Sequence, residues 1–151
     1  YVDDVEIHPT LLTNYIYECG KRYMIKMICI DNYRYALMSD ALSKIGFSVD
    51  RKNLKLVSQL EICKIVPVID HCFINGFFYW GNNPTLRWAT NNTKTIRYGR
   101  DAGADKGSFV YAKIEARSRK TDPFMALVAS MTAEGEIKEY IPLTGKCVLV
   151  M

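Results

Sequence analysis

Residues 62–80 read "ICKIVPVIDHCFINGFFYW", and the fold class turns on how this stretch is taken. Its opening, "ICKIVPVI", is rich in β-branched residues, the composition of a strand. Pro67 within it removes a ladder donor and points to an edge strand or a bulge. Asn75-Gly76 then stands between apolar and aromatic runs. That dipeptide is preferred in type I′ hairpin turns, where both central residues need positive φ. The stretch therefore predicts a strand followed by a tight hairpin, and it makes the chain β-rich from residue 62 onward.

Toward the C-terminus the same pattern continues. "GNNPT" (81–85) reads as a turn, and "LRWAT" (86–90) and "TKTIRYG" (93–99) read as strands joined at Asn91-Asn92. "SFVYAKIEARS" (108–118), "PFMALVASMTA" (123–133) and "EIKEYIPL" (136–143) read as further strands, with Glu134-Gly135 closing the last hairpin and "CVLVM" (147–151) a final short strand. Toward the N-terminus, "RYMIKMICIDNYRYALM" (22–38) predicts a hairpin turning at Asp31-Asn32. "SDALSKIGF" (39–47) predicts a short helix capped by Ser39, with Ala41, Leu42 and Ile45 on one face and Gly46 ending it. "VDRKNLKLVSQL" (49–60) offers a second short helix, with Asp50 as its cap and Leu54, Val57 and Leu60 in one stripe. The expected fold is α+β: a single domain over residues 1–151 dominated by antiparallel β-hairpins. Two short helices fall in its N-terminal half, with 1–61 mixed α/β and 62–151 β-rich.

Composition bounds the class. The chain has 151 residues, 49% apolar and 24% charged, enough for a sizeable core and ordinary for a globular protein. No run approaches the ~18 apolar residues of a membrane span, so no membrane partner is expected. The acidic start "YVDDVEIHPT" lacks the apolar run of a secretory signal. A chain opening on Tyr1 rather than Met is read as a fragment or a trimmed product. Five cysteines stand at 19, 29, 63, 72 and 147. Their odd number, apolar settings and lack of any CxxC pair predict free thiols and an intracellular location, cytoplasm or nucleus.

The motifs that carry chemistry elsewhere are incomplete here. "YVDD" (1–4) has the paired carboxylates of a polymerase palm but no preceding strand to hold them. His8 and His71 are the only histidines, and no paired ligand spacing suggests zinc. On a strand, His71 and Cys72 would face opposite sides and form no dyad. Asp101-x-Gly103-x-Asp105 lacks the further carboxylates of a calcium loop. The glycine loop around residues 99–107 lacks the GxxxxGK[ST] order of a phosphate cradle. The reading is therefore of a protein without metal or cofactor, and without a visible catalytic constellation.

Charge points to a partner. From Arg87 to Lys120 stand nine basic residues and three acidic ones, leaving +6 against +4 for the whole chain. Aromatic residues interleave with them. Cations that track phosphates and rings that stack on bases suit single-stranded nucleic acid. The candidate contacts are Arg87, Trp88, Lys94, Arg97, Tyr98, Arg100, Lys106, Arg117, Arg119 and Lys120, with Lys113, Glu115 and Arg117 alternating along one strand face. Residues 29–48, "CIDNYRYALMSDALSKIGFS", resemble the opening of the BRO-type N-terminal domains of large DNA viruses and phages. In those domains a strand pair leads into a short helix with an Asp near its start, matched by Asp40, and a Gly-aromatic end, matched by Gly46-Phe47. The resemblance implies DNA binding and a viral or phage origin.

The leading expectation is thus a non-enzymatic, basic nucleic-acid-binding module. One alternative is a protein-interaction domain presenting an aromatic hairpin, with Phe73, Phe77, Phe78, Tyr79 and Trp80 as anchors. Another is a nuclease or phosphate-ester enzyme whose site is assembled from distant residues.

Overall fold

A computed structural model describes residues 8–99 and 108–137. The fold is α+β, with five α-helices and four strands among the described residues. It divides into two compact units, residues 1–56 and 57–151.

In the first unit, α1 (Pro9–Gly20) starts on His8, whose Nδ1 accepts the Thr10 N–H at 3.3 Å. Pro9 follows at the first helical position, where its missing donor costs nothing. One of the two candidate histidines is thus a helix cap. β1 (Ile28–Asp31) pairs with β2 (Leu54–Val57). The expected hairpin over 22–38 does not form. Asp31 instead accepts the Tyr33 N–H at 2.9 Å and starts a 3-10 turn, Asn32–Arg34. That turn runs straight into α2 (Tyr35–Lys44). Ser39, expected as the cap, lies mid-helix and donates to Ala36 O. The end was correctly placed, since Gly46 follows at φ +93°.

The helix expected over 49–60 is replaced by a loop and β2. Lys52 sits at φ +56°, and Asn53 ties the loop by donating from Nδ2 to Gly46 O at 2.9 Å and accepting the Ser48 N–H at 3.0 Å. These bonds hold the backbone out of helical geometry. Leu54 and Val57 are buried.

In the second unit, the decisive stretch is helical. α3 (Gln59–Ile74) runs through "ICKIVPVI" with Pro67 inside it. Ser58 Oγ accepts the Glu61 N–H at 3.3 Å, and Glu61 Oε2 accepts the Ser58 N–H at 2.7 Å, a reciprocal capping box. Ile62, Val66 and Ile69 are buried at helical spacing. Asn75-Gly76 is this helix's end and not a hairpin turn. Asn75 is at φ −93° and Gly76 at +65°. Phe77 N–H reaches Cys72 O at 2.8 Å and Gly76 N–H reaches Phe73 O at 3.2 Å. That pair of bonds is a Schellman motif, which needs one left-handed residue where a type I′ turn needs two.

"LRWAT" belongs to α4 (Pro84–Asn91), with Asn83 Oδ1 capping Leu86 N–H at 3.0 Å. "PFMALVASM" belongs to α5 (Asp122–Met131), with Phe124, Leu127 and Val128 buried. Glu134-Gly135 lies in a 3-10 turn, Glu134–Glu136, and closes no hairpin. The strands expected beyond residue 137 lie outside the described residues. The hairpin-dominated, β-rich reading of residues 62–151 is therefore corrected: the described residues there form three α-helices and one hairpin. That hairpin, β3 (Thr93–Tyr98) with β4 (Ser108–Lys113), falls where the sequence expected strands. α3 and α5 pack on each other, and β4 packs on α3.

Candidate nucleic-acid interface

The hairpin is antiparallel, in the register Thr93↔Lys113 through Ile96↔Val110 to Tyr98↔Ser108. Its strands have unequal settings. In β4, Val110 is buried and Tyr111 half-buried, whereas β3 is exposed at every residue from Lys94 to Tyr98. Tyr111 fastens the hairpin to the helices. Its ring meets Phe124 edge-on at 5.0 Å, and its hydroxyl donates to Asp70 Oδ1 on α3 at 3.1 Å. Burial, then the Asp70 charge and this hydrogen bond, push the Tyr111 hydroxyl above the usual tyrosine range. Tyr111 is thus a neutral anchor.

Strand alternation distributes the candidate residues over two faces. Lys94 and Tyr98 share one face with Ile96. Arg97 lies on the other with Phe109, its cross-strand partner. The basic and aromatic candidates of the hairpin are therefore divided between its two faces. Trp88 and Arg87 stand on α4, where Arg87 Nη2 donates to Asn82 Oδ1 at 2.9 Å. Glu115 and Arg117 do not continue the strand alternation with Lys113, because β4 ends there. Arg100 and Lys106 lie outside the described residues, as do residues 100–107 of the glycine loop, including Asp101-x-Gly103-x-Asp105.

Arg119 has a structural role that its sequence position did not suggest. Its Nη1 donates to Asn92 Oδ1 at 3.2 Å, and its Nε lies 3.7 Å from Glu115 Oε2. Asn92 is 1% exposed. Its Nδ2 donates to Lys120 O at 3.4 Å and its backbone oxygen accepts the Ile114 N–H at 2.8 Å. This residue joins the end of α4 and the root of the hairpin to the turn that follows β4. Arg117 and Lys120 are exposed on that turn.

The aromatic candidates separate as well. Phe73, Phe78 and Trp80 form a cluster, with Phe78 and Trp80 stacked at 5.2 Å and Phe73 reaching Phe124 at 6.2 Å. Phe77 and Tyr79 are exposed, and Phe77 meets His71 edge-on at 5.7 Å. A groove of about 290 Å³ between α4 and α5 is lined by Leu86, Pro123, Leu127 and small polar residues, with no ionisable side chain among them. Among the described residues no group of three or more His, Cys, Asp or Glu is placed to hold a metal ion. No described helix is long and apolar enough to cross a membrane.

Comparison with protein-family models, curated proteins and solved structures gives no match, and so neither supports nor opposes the BRO-type resemblance of residues 29–48.

Proposed function

We propose that the second unit is a nucleic-acid-binding module whose contact element is the β3–β4 hairpin, and that its ligand is a duplex. The carrying observation is the exposed strand β3, with a cation on each face of a two-stranded ribbon. A single strand threaded over rings needs successive aromatic side chains on one surface. Here Tyr98 and Phe109 occupy opposite faces and Trp88 a helix. A ribbon seated in a groove meets phosphates on both walls, and Lys94 and Arg97 serve opposite walls. The major groove of B-form DNA is wide enough to admit a two-stranded ribbon. Along β3 the two cations are about 10 Å apart.

The test is fluorescence anisotropy of labelled duplex and single-stranded oligonucleotides across a salt series. Duplex should bind more tightly. Lys94→Ala and Arg97→Ala should each lower the log–log salt slope by about 0.9, the value for one phosphate contact on B-DNA. Tighter binding of the single strand would restore the stacking mode, and no binding of either at low salt would remove nucleic acid as the ligand.

A second reading is favoured by the exposure of Ile74, Phe77 and Tyr79 around the end of α3. These could seat a protein partner, and such binding would persist at high salt because apolar contacts are not screened.

A further inference from the structure

We propose that the turn between β4 and α5, residues 114–121, is a second phosphate-binding element that continues the hairpin's contact with polynucleotide through Arg117 and Lys120. The inference rests on the nucleic-acid reading of the hairpin and extends it to a part of the chain with no regular secondary structure.

Three observations carry it. First, the turn is held in shape from within. Asn92 is buried and binds it at three points: its carbonyl takes the Ile114 N–H, its Oδ1 takes Arg119 Nη1, and its Nδ2 reaches Lys120 O. Arg119 N–H also closes onto Glu115 O at 3.4 Å. A backbone ordered in the free protein costs no further ordering on binding.

Second, the charges are divided. Glu115 pairs with Arg119 and accepts the Ser118 hydroxyl, so its charge is offset inside the turn. Arg117 and Lys120 are exposed, and neither side chain has an ion-pair partner among the described residues. Asp122, the next acidic residue, lies in the first turn of α5, where the helix dipole favours it. Arg119 is spent on structure, and the two cations beside it are left to the solvent.

Third, the turn adjoins the root of the hairpin. Asn92 directly precedes β3, Thr93 pairs with Lys113, and Ile114 bonds back to Asn92. The turn's cations therefore lie next to the root of β3, which carries Lys94. A phosphate backbone on the wall met by Lys94 would reach the turn at the root of the hairpin.

The experiment uses the whole chain, a labelled DNA duplex and a potassium chloride series. The Arg117→Ala/Lys120→Ala double variant should lower the salt slope by about two units and weaken binding at least tenfold at low salt, on the order expected for two lost phosphate contacts. Exchanging the same residues for one another, Arg117→Lys with Lys120→Arg, should keep the wild-type slope. Both changes are at exposed side chains, and unchanged circular dichroism and melting would exclude misfolding as the cause. If Lys94→Ala lowers the slope while the double variant matches wild type, the turn is no contact and the hairpin reading stands alone. If the wild-type protein binds no duplex, or the Lys94 and Arg97 variants are equally silent, the hairpin reading falls and this inference with it.

Discussion

Asn92 is a polar residue where a core side chain would be expected, and its cost is met only because each polar group has a partner. Asn92→Ala removes the acceptor of Arg119 and the donor to Lys120 O in one step. Chemical denaturation should show a loss of about 1–3 kcal/mol, the range for leaving buried hydrogen-bonding groups unpaired. The sequence shows an Asn pair and suggests a turn. Nothing local marks Asn92 as buried, because its partner Arg119 lies 27 residues away. Tyr111 is the other residue whose environment sets its chemistry. Folding raises its pKa above the ordinary 10.0, chiefly by burial and then through Asp70. Below pH 10 both the folded and unfolded chains keep the proton, and the shift has no effect on stability. Above it the unfolded chain releases a proton that the folded chain retains, so stability falls as pH rises. Melting temperatures should therefore drop on the alkaline side of pH 10, and Tyr111→Phe should make that drop shallower.

At the level of single elements, the outcome for Asn75-Gly76 shows how one dipeptide serves two structures. The left-handed glycine is common to a hairpin turn and to a helix end, so Gly76 alone does not choose. A Cβ at Gly76 would meet nothing within 4 Å, so its φ of +65° is the only penalty for a substitution. Gly76→Ala should cost about 1 kcal/mol in equilibrium unfolding. An unchanged midpoint would show that the helix end is not held in this form. The signal that decides the element was legible upstream. Ser58-Gln59-Leu60-Glu61 has the S-x-x-E order of a capping box, and Ile62, Val66 and Ile69 keep helical spacing behind it. The β-branched composition of "ICKIVPVI" outweighed that pattern, although β propensity reflects surroundings more than backbone preference. Asn83-Pro84 and Thr121-Asp122-Pro123 likewise have the order of a cap followed by a first-turn proline. β3 and β4 were readable because their neighbours agree with their propensity.

Across the whole molecule, the sequence located the charge better than it located the faces. The basic stretch 87–120 is real as composition, yet it is spread over α4, both faces of the hairpin and one turn. Only pairing register and long-range hydrogen bonds could separate Arg119, which is bonded within the structure, from Arg117, which is exposed. The thiols are a property of the chain as a whole. Cys19, Cys29, Cys63 and Cys72 form no disulfide among the described residues. Alkylation under denaturing, non-reducing conditions should therefore modify all four, as mass spectrometry would count.

The end of α3 has one more consequence, in chemical time. An asparagine followed by glycine is the dipeptide most open to deamidation, in which the glycine nitrogen attacks the side-chain amide, ammonia leaves and a succinimide opens to isoaspartate. Here both reacting groups are engaged: Gly76 N–H is held by Phe73 O, and Asn75 Nδ2 donates to His71 O at 2.8 Å. The reaction has to wait for the helix end to fray, a local opening far easier than global unfolding. Water opens the succinimide to aspartate or isoaspartate, and each isoaspartate so formed inserts an extra carbon into the backbone and prevents the cap from closing again. The isoaspartate content of an ageing sample is therefore a cumulative record of how often this helix end has come undone.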